Sequence, residues 1–170
     1  VWDWDDLQIV RALHNGWRAG ELAPVMVDAF RDPVPARIVA LSEADLASDI
    51  AARGLPAQLP RGGTASGVVD VTNRGAVAWP AFNGDGVINS RNLMYLLVRW
   101  LADGRPLEGV GDVVPLPLNV SPGETIEMPI SVTAPSVPGR FELELRVSQA
   151  IDRRRGVIGN DALRLSVRVQ

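Results

Sequence analysis

The sequence predicts a mainly β protein, an antiparallel sandwich of two sheets with a short N-terminal helical segment and one further short helix. Three observations carry this expectation. Ile126, Met128, Ile130 and Val132 alternate with Thr125, Glu127, Pro129, Ser131 and Thr133. Phe141, Leu143, Leu145 and Val147 alternate in the same way with Arg140, Glu142, Glu144, Arg146 and Ser148. Alternation of this kind gives each strand one apolar and one wet face, so a second sheet must cover the apolar side. Ser121-Pro122-Gly123 and Val137-Pro138-Gly139 supply the turns.

Composition sets limits. The chain has 170 residues, 46% apolar and 22% charged, which suits one domain with its own core. No apolar run approaches the ~18 residues of a membrane-spanning helix. No basic stretch leading into an apolar run opens the sequence, so a secretory leader is not expected within it. The net charge is −3 with no block of one sign, which argues against a general nucleic-acid binder. All 17 basic residues are arginine. Without lysine there is no amine nucleophile or Schiff base. Without cysteine there is no thiolate catalysis, disulfide or cysteine-ligated zinc.

The elements follow in chain order. Asp5 or Asp6 caps a short amphipathic helix within residues 1–20, with Leu7, Val10, Leu13 and Trp17 on one face. Residues 21–32 fit a strand or a helical turn, and Pro33-Val34-Pro35 forces extended chain. Residues 36–41 fit a first strand. Ser42 and Asp45 resemble a capping pair for a helix over about 43–53, with Gly54 and Pro56 to stop it. Strands follow around Val69 and Val71, at Val77–Pro80, and at Asn92–Leu101. The last is apolar on both faces and so central. Asp103-Gly104 marks a hairpin. Residues 113–120 cross to the opening hairpin described above. Residues 150–161 read as a long loop, and Ala162–Gln170 closes the sheet. The expected core holds Val69, Val71, Trp79, Met94, Leu96, Val98, Trp100, Ile126, Met128, Ile130, Phe141, Leu143, Leu145, Leu165 and Val167. About seven short strands separated by turns are the pattern of an immunoglobulin-like sandwich. The division expected is a segment over 1–33 and a sandwich over 34–170.

Three stretches resemble a known kind of module. They are VVDVTNRGAVAWP (Val68 to Pro80), MYLLVRWLADGRPL (Met94 to Leu107) and PLPLNVSPGETIEMPISVTAPSVPGRFELELRVSQ (Pro115 to Gln149). Together they resemble bacterial immunoglobulin-like β-sandwich accessory modules found beside glycosyltransferases and other proteins of surface-polysaccharide assembly. The resemblance spans about 100 residues and leaves Val1 to Arg61 outside it. It implies a non-catalytic module that binds a glycan or positions a neighbouring enzyme. A cell-envelope or extracellular setting would follow, or a cytoplasmic one if the module is fused to a glycosyltransferase.

Little in the residues points to catalysis. His14 has no serine or carboxylate placed by sequence to pair with it. Asp3, Asp5 and Asp6 could hold a hard cation, but capping explains them more simply. Asn83-Gly84-Asp85-Gly86 lacks the spacing and the closing glutamate of a calcium loop. No cofactor or metal is expected. Trp79 and Trp100 lie on strands and read as core, whereas Tyr95, Phe82 and Trp17 would suit sugar stacking if exposed. The ligand-binding candidates are Phe82, Asn83, Asp85, Asn89 and Arg91 in one loop, and Arg153, Arg154 and Arg155 in another. The first group sets an aromatic among hydrogen-bonding side chains, as a sugar requires. The second suits an anionic group. Partners expected are a glycan, or a neighbouring protein met through the N-terminal helix, with no nucleic acid and no membrane span. The alternative class is a structural or protein-interaction module of a cell-envelope assembly.

Overall fold

The computed structural model describes residues 39–81, 92–150 and 156–170. Among these the strands are β1 (Ser48–Arg53), β2 (Gln58–Leu59), β3 (Thr64–Asn73), β4 (Met94–Ala102), β5 (Arg105–Pro115), β6 (Thr125–Thr133), β7 (Gly139–Ala150) and β8 (Gly156–Val169). They form a three-stranded sheet in the order β1-β3-β6 and a five-stranded sheet in the order β2-β8-β7-β4-β5. Neighbouring strands are antiparallel except β2 and β8, which are parallel. The chain changes sheets between β1 and β2. Gly54 makes that step at φ +79°, a left-handed value that costs glycine little. A side chain on Gly67 would collide with Leu55 as it crosses.

One core lies between the sheets. Val69, Val71, Ile126, Met128 and Ile130 from the smaller sheet meet Met94, Leu96, Val98, Trp100, Leu143, Leu145 and Val167 from the larger. Every residue expected in the core is buried except Leu165, which packs against it partly buried. Trp100 stitches the sheets together. Its ring meets Phe141 edge to face at 6.4 Å, and its Nε1–H donates to the Thr133 carbonyl at 2.9 Å. Trp79 Nε1–H likewise donates to the Asp45 carbonyl at 2.7 Å. Both indoles therefore bury their area without leaving a donor unpaired.

Five expectations need correction. The helix over 43–53 does not form. The capping pair itself is real: Ser42 N–H and Oγ–H both donate to Asp45 Oδ2, at 3.1 and 2.7 Å. It closes only one 3-10 turn, Ala44–Leu46, which seats Leu46 in the core. The chain then runs into β1, because a helix this short is marginal alone and β3 offers a complete ladder. The first strand is therefore β1, and residues 39–41 of the stretch expected to be one are not in a strand. Val77–Pro80 contributes only a bridge between Trp79 and Val120.

Part of the long loop expected over 150–161 is ladder, since β7 runs to Ala150 and β8 starts at Gly156. Gly159, Asn160 and Asp161, whose types suggest a loop, form a bulge opposite Val147. Arg146 Nη1 donates to the carbonyls of Gly159 and Asn160, both at 3.1 Å, and fixes it. The stretch read as crossing over 113–120 likewise begins as the end of β5. That edge strand bulges at Leu107–Val110, where Leu107 and Val110 leave the sheet to pack on the core. The N-terminal segment over 1–33, with its expected helix, lies outside the described residues.

Candidate functional site

The residues expected to bind a ligand, Phe82, Asn83, Asp85, Asn89, Arg91, Arg153, Arg154 and Arg155, all lie outside the described residues. Their stems do not. Asn92 N–H donates to the Ala150 carbonyl at 2.5 Å, and Ala150 N–H donates to Leu93 O at 3.2 Å. Ala150 also pairs with Gly156 across β7 and β8. The two candidate loops thus leave the sandwich side by side, a point the sequence left open. Asn92 stands at φ +60°, a conformation asparagine tolerates, and its buried Oδ1 has no hydrogen-bond partner among the described residues.

Gln149, fully buried, gathers this end of the fold. Its Oε1 accepts from Leu41 N–H, and its Nε2 donates to Val39 O and Asn92 O, all at 2.8 Å. Gln149 continues the inward parity of Phe141, Leu143, Leu145 and Val147. A polar residue at that parity was the sequence signal for a buried anchor. Val39, Leu41, Asn92 and Ala150, which flank the undescribed stretches, are therefore gathered at one end of the sandwich.

The signature residues of the resemblance hold loops in place at the same end. Asn73, also fully buried, donates from Nδ2 to Val77 O at 2.8 Å and Val120 O at 2.9 Å, and accepts Gly75 N–H at 2.8 Å. A side chain on Gly75 would strike the Asp45 carbonyl. Ser121 N–H donates to Glu124 Oε2 at 2.7 Å and closes the Pro-Gly turn. These groups hold backbone, and both donors of the Asn73 amide are used in doing so.

The outer face of the larger sheet carries the second feature. Reading across β5, β4, β7 and β8, its residues fall in rows: Pro115, Tyr95, Ser148 and Ile158; then Val113, Leu97, Arg146 and Ala162; then Gly111, Arg99, Glu144 and Arg164. Two rows are largely apolar and the third is ionic. Glu144 is 0% exposed. Arg99 Nε donates to its Oε1 at 2.6 Å, Arg164 Nε to Oε2 at 3.0 Å and Arg146 Nη2 to Oε2 at 3.1 Å. Burial pushes the Glu144 carboxyl up, but the hydrogen bonds from Arg146, Arg99 and Arg164 outweigh it and hold it below the usual range. Sequence reading missed this cluster because each member is an ordinary outward residue, and only the register brings them together.

This carboxylate is driven away from neutrality, the opposite of what a general acid near pH 7 needs. No group of three metal-ligating side chains occurs among the described residues. No helix among them is long and apolar enough to cross a membrane. Trp79 and Trp100 are buried, and Tyr95 is half-buried.

No protein-family model and no curated protein matches the chain. Among solved structures it is similar to the CARDB domain of a Pyrococcus furiosus protein in complex with di-metal ions. That likeness has 16% identity, 72% of this chain and 92% of that one covered, and a TM-score of 0.42. It is similar to the sporulation control protein of Bacillus subtilis at 16% identity, with 73% and 49% covered and a TM-score of 0.44. It is also similar to a beta-glucosidase from Listeria innocua in complex with glucose at 14% identity, with 72% and 16% covered and a TM-score of 0.41. At these scores the likenesses carry neither fold nor function. Strand order and register describe the fold without them.

Proposed function

We propose that the chain is a non-catalytic immunoglobulin-like module that binds an acidic glycan at the loop end of its sandwich, in the setting of bacterial surface carbohydrate. The carrying observation is the pairing of Asn92 with Ala150, which sets the stems of the two candidate loops against each other. The strand order supports the fold reading. The first strand is split between the sheets as β1 and β2, with β2 parallel to the last strand, and the β3–β4 and β7–β8 loops share one end. Loops at such an end vary while the sheets hold the fold, so binding concentrates there. Phe82, Asn83, Asp85, Asn89 and Arg91 supply stacking and hydroxyl recognition. Arg153, Arg154 and Arg155 take the acid group. The sandwich domain would run over 34–170, and a neighbouring enzyme would be served by the ligand this end holds.

Calorimetric titration with an oligosaccharide of uronic acids, and with its neutral counterpart, tests the reading. Binding of the acidic form alone is expected. Arg153→Ala, Arg154→Ala and Arg155→Ala combined should abolish it while stability stays within about 0.5 kcal/mol. Equal heats from the triple variant and the parent chain would remove the arginine loop from the site.

A further inference from the structure

The outer face of the larger sheet is left open along its two apolar rows. Val113 and Ile158 stand 50% and 40% exposed there, beside the half-buried Tyr95 and Leu97. With strands ~4.8 Å apart and same-face rows ~7 Å apart, this ground is about as wide as one helix. We propose that residues 1–20 of this same chain cover it, laying Leu7, Val10, Leu13 and Trp17 across the two rows.

Three features favour that occupant. The chain first joins the fold at Val39 and Leu41, held by Gln149, which directly follows Ser148 of the outermost apolar row. Eighteen residues, 21–38, separate that helix from Val39, a length that could span up to ~60 Å and so suffices to reach the face. The segment opens with Asp3, Asp5 and Asp6, and the adjoining ionic row holds Arg99 and Arg164. Among the described residues, Arg99 donates a hydrogen bond only from Nε, leaving its two Nη groups for an incoming carboxylate. A second copy fits less well, because a two-fold interface would turn this arginine row toward its own image.

The cysteine-free sequence makes a clean test. In the full chain, Val113→Cys is combined with Val10→Cys and exposed to mild oxidant. The control combines Val10→Cys with Ser131→Cys, an exposed position on the smaller sheet. Docking predicts an intrachain disulfide in the monomer at least about tenfold faster than in the control, as a raised local concentration requires. Ile158→Cys with Leu13→Cys repeats the test for another seating of the helix. Rates equal to the control in both pairs would overturn the proposal. So would a disulfide between chains that quickens with protein concentration, which would assign the face to a second copy. A second readout uses Val113→Glu with Ile158→Glu. Trp79 and Trp100 are buried in the core, so a red shift in emission would report release of Trp2, Trp4 and Trp17, and an unchanged spectrum would count against docking.

Discussion

The outer faces of the two sheets solve the same problem differently. On the smaller sheet, charged side chains and threonines pair with neighbours across the strands. Arg53 reaches Asp70 at 2.6 Å and Glu127 at 2.7 Å, Arg74 reaches Asp49 at 2.6 Å, and Thr72 meets Thr125 at 2.7 Å. All of this lies in water, where such pairs contribute little. On the larger sheet, Glu144 is fully buried beneath arginines, and apolar rows lie beside it. The first face is complete against solvent. The second concentrates its electrostatics in one buried carboxylate and leaves apolar area uncovered. Interaction surfaces are recognised by that combination rather than by hydrophobic content alone.

The sharpest way to break the comparison is to remove the buried carboxylate. Glu144→Ala removes the shared partner of Arg99, Arg146 and Arg164 and should cost about 3 kcal/mol in a denaturant titration. A loss no larger than that of an exposed pair would show that the two faces are alike. Asn73→Ala comes next. It leaves Val77 O and Gly75 N–H without this partner and Val120 O with Trp79 N–H alone, and about 1–3 kcal/mol should be lost in the same titration.

Acid provides a third test. The folded Glu144 carboxyl sits below its unfolded value, so its stabilisation is complete above the ordinary glutamate range, near pH 4.3. That contribution disappears as pH falls through the lowered folded value. Melting curves of Glu144→Gln should therefore show a shallower loss as pH falls below the ordinary glutamate range than those of the parent chain. Parallel curves would mean that another group governs the acid limb. At the small end, Thr72→Val should cost under about 1 kcal/mol, and Arg53→Ala should leave the midpoint nearly in place.

Much of the fold could be read from the residues. Period-two alternation located β3, β4, β6, β7 and the end of β8, and with them nearly the whole core. Reading failed where one local pattern served two structures. Leu46 and Ile50 are spaced as on a helix, but Ile50 and Ala52 are also spaced as on a strand, and only pairing with β3 decided between them. Gly159, Asn160 and Asp161 have loop composition yet sit in a bulge, because Arg146 holds their carbonyls from across the sheet. Gly54 does take a positive φ, but to change sheets rather than to end a helix. The ionic cluster was invisible for a related reason. Arg99, Glu144 and Arg164 are 20 or more positions apart in sequence, and only register makes them neighbours.

The bulge in β5 has a consequence for how the molecule behaves in a crowd. An edge strand with free amides and carbonyls invites a neighbour to extend the sheet, which is how β proteins polymerise. In β5 the residues over 107–110 leave the ladder, and Pro106 and Pro115 offer no amide hydrogen at either side of that break. At the opposite edge, β2 is only two residues long. The β5 border therefore gives a second chain no straight run to zip onto, whereas at the other border β2 covers only Arg168 and Val169 of β8.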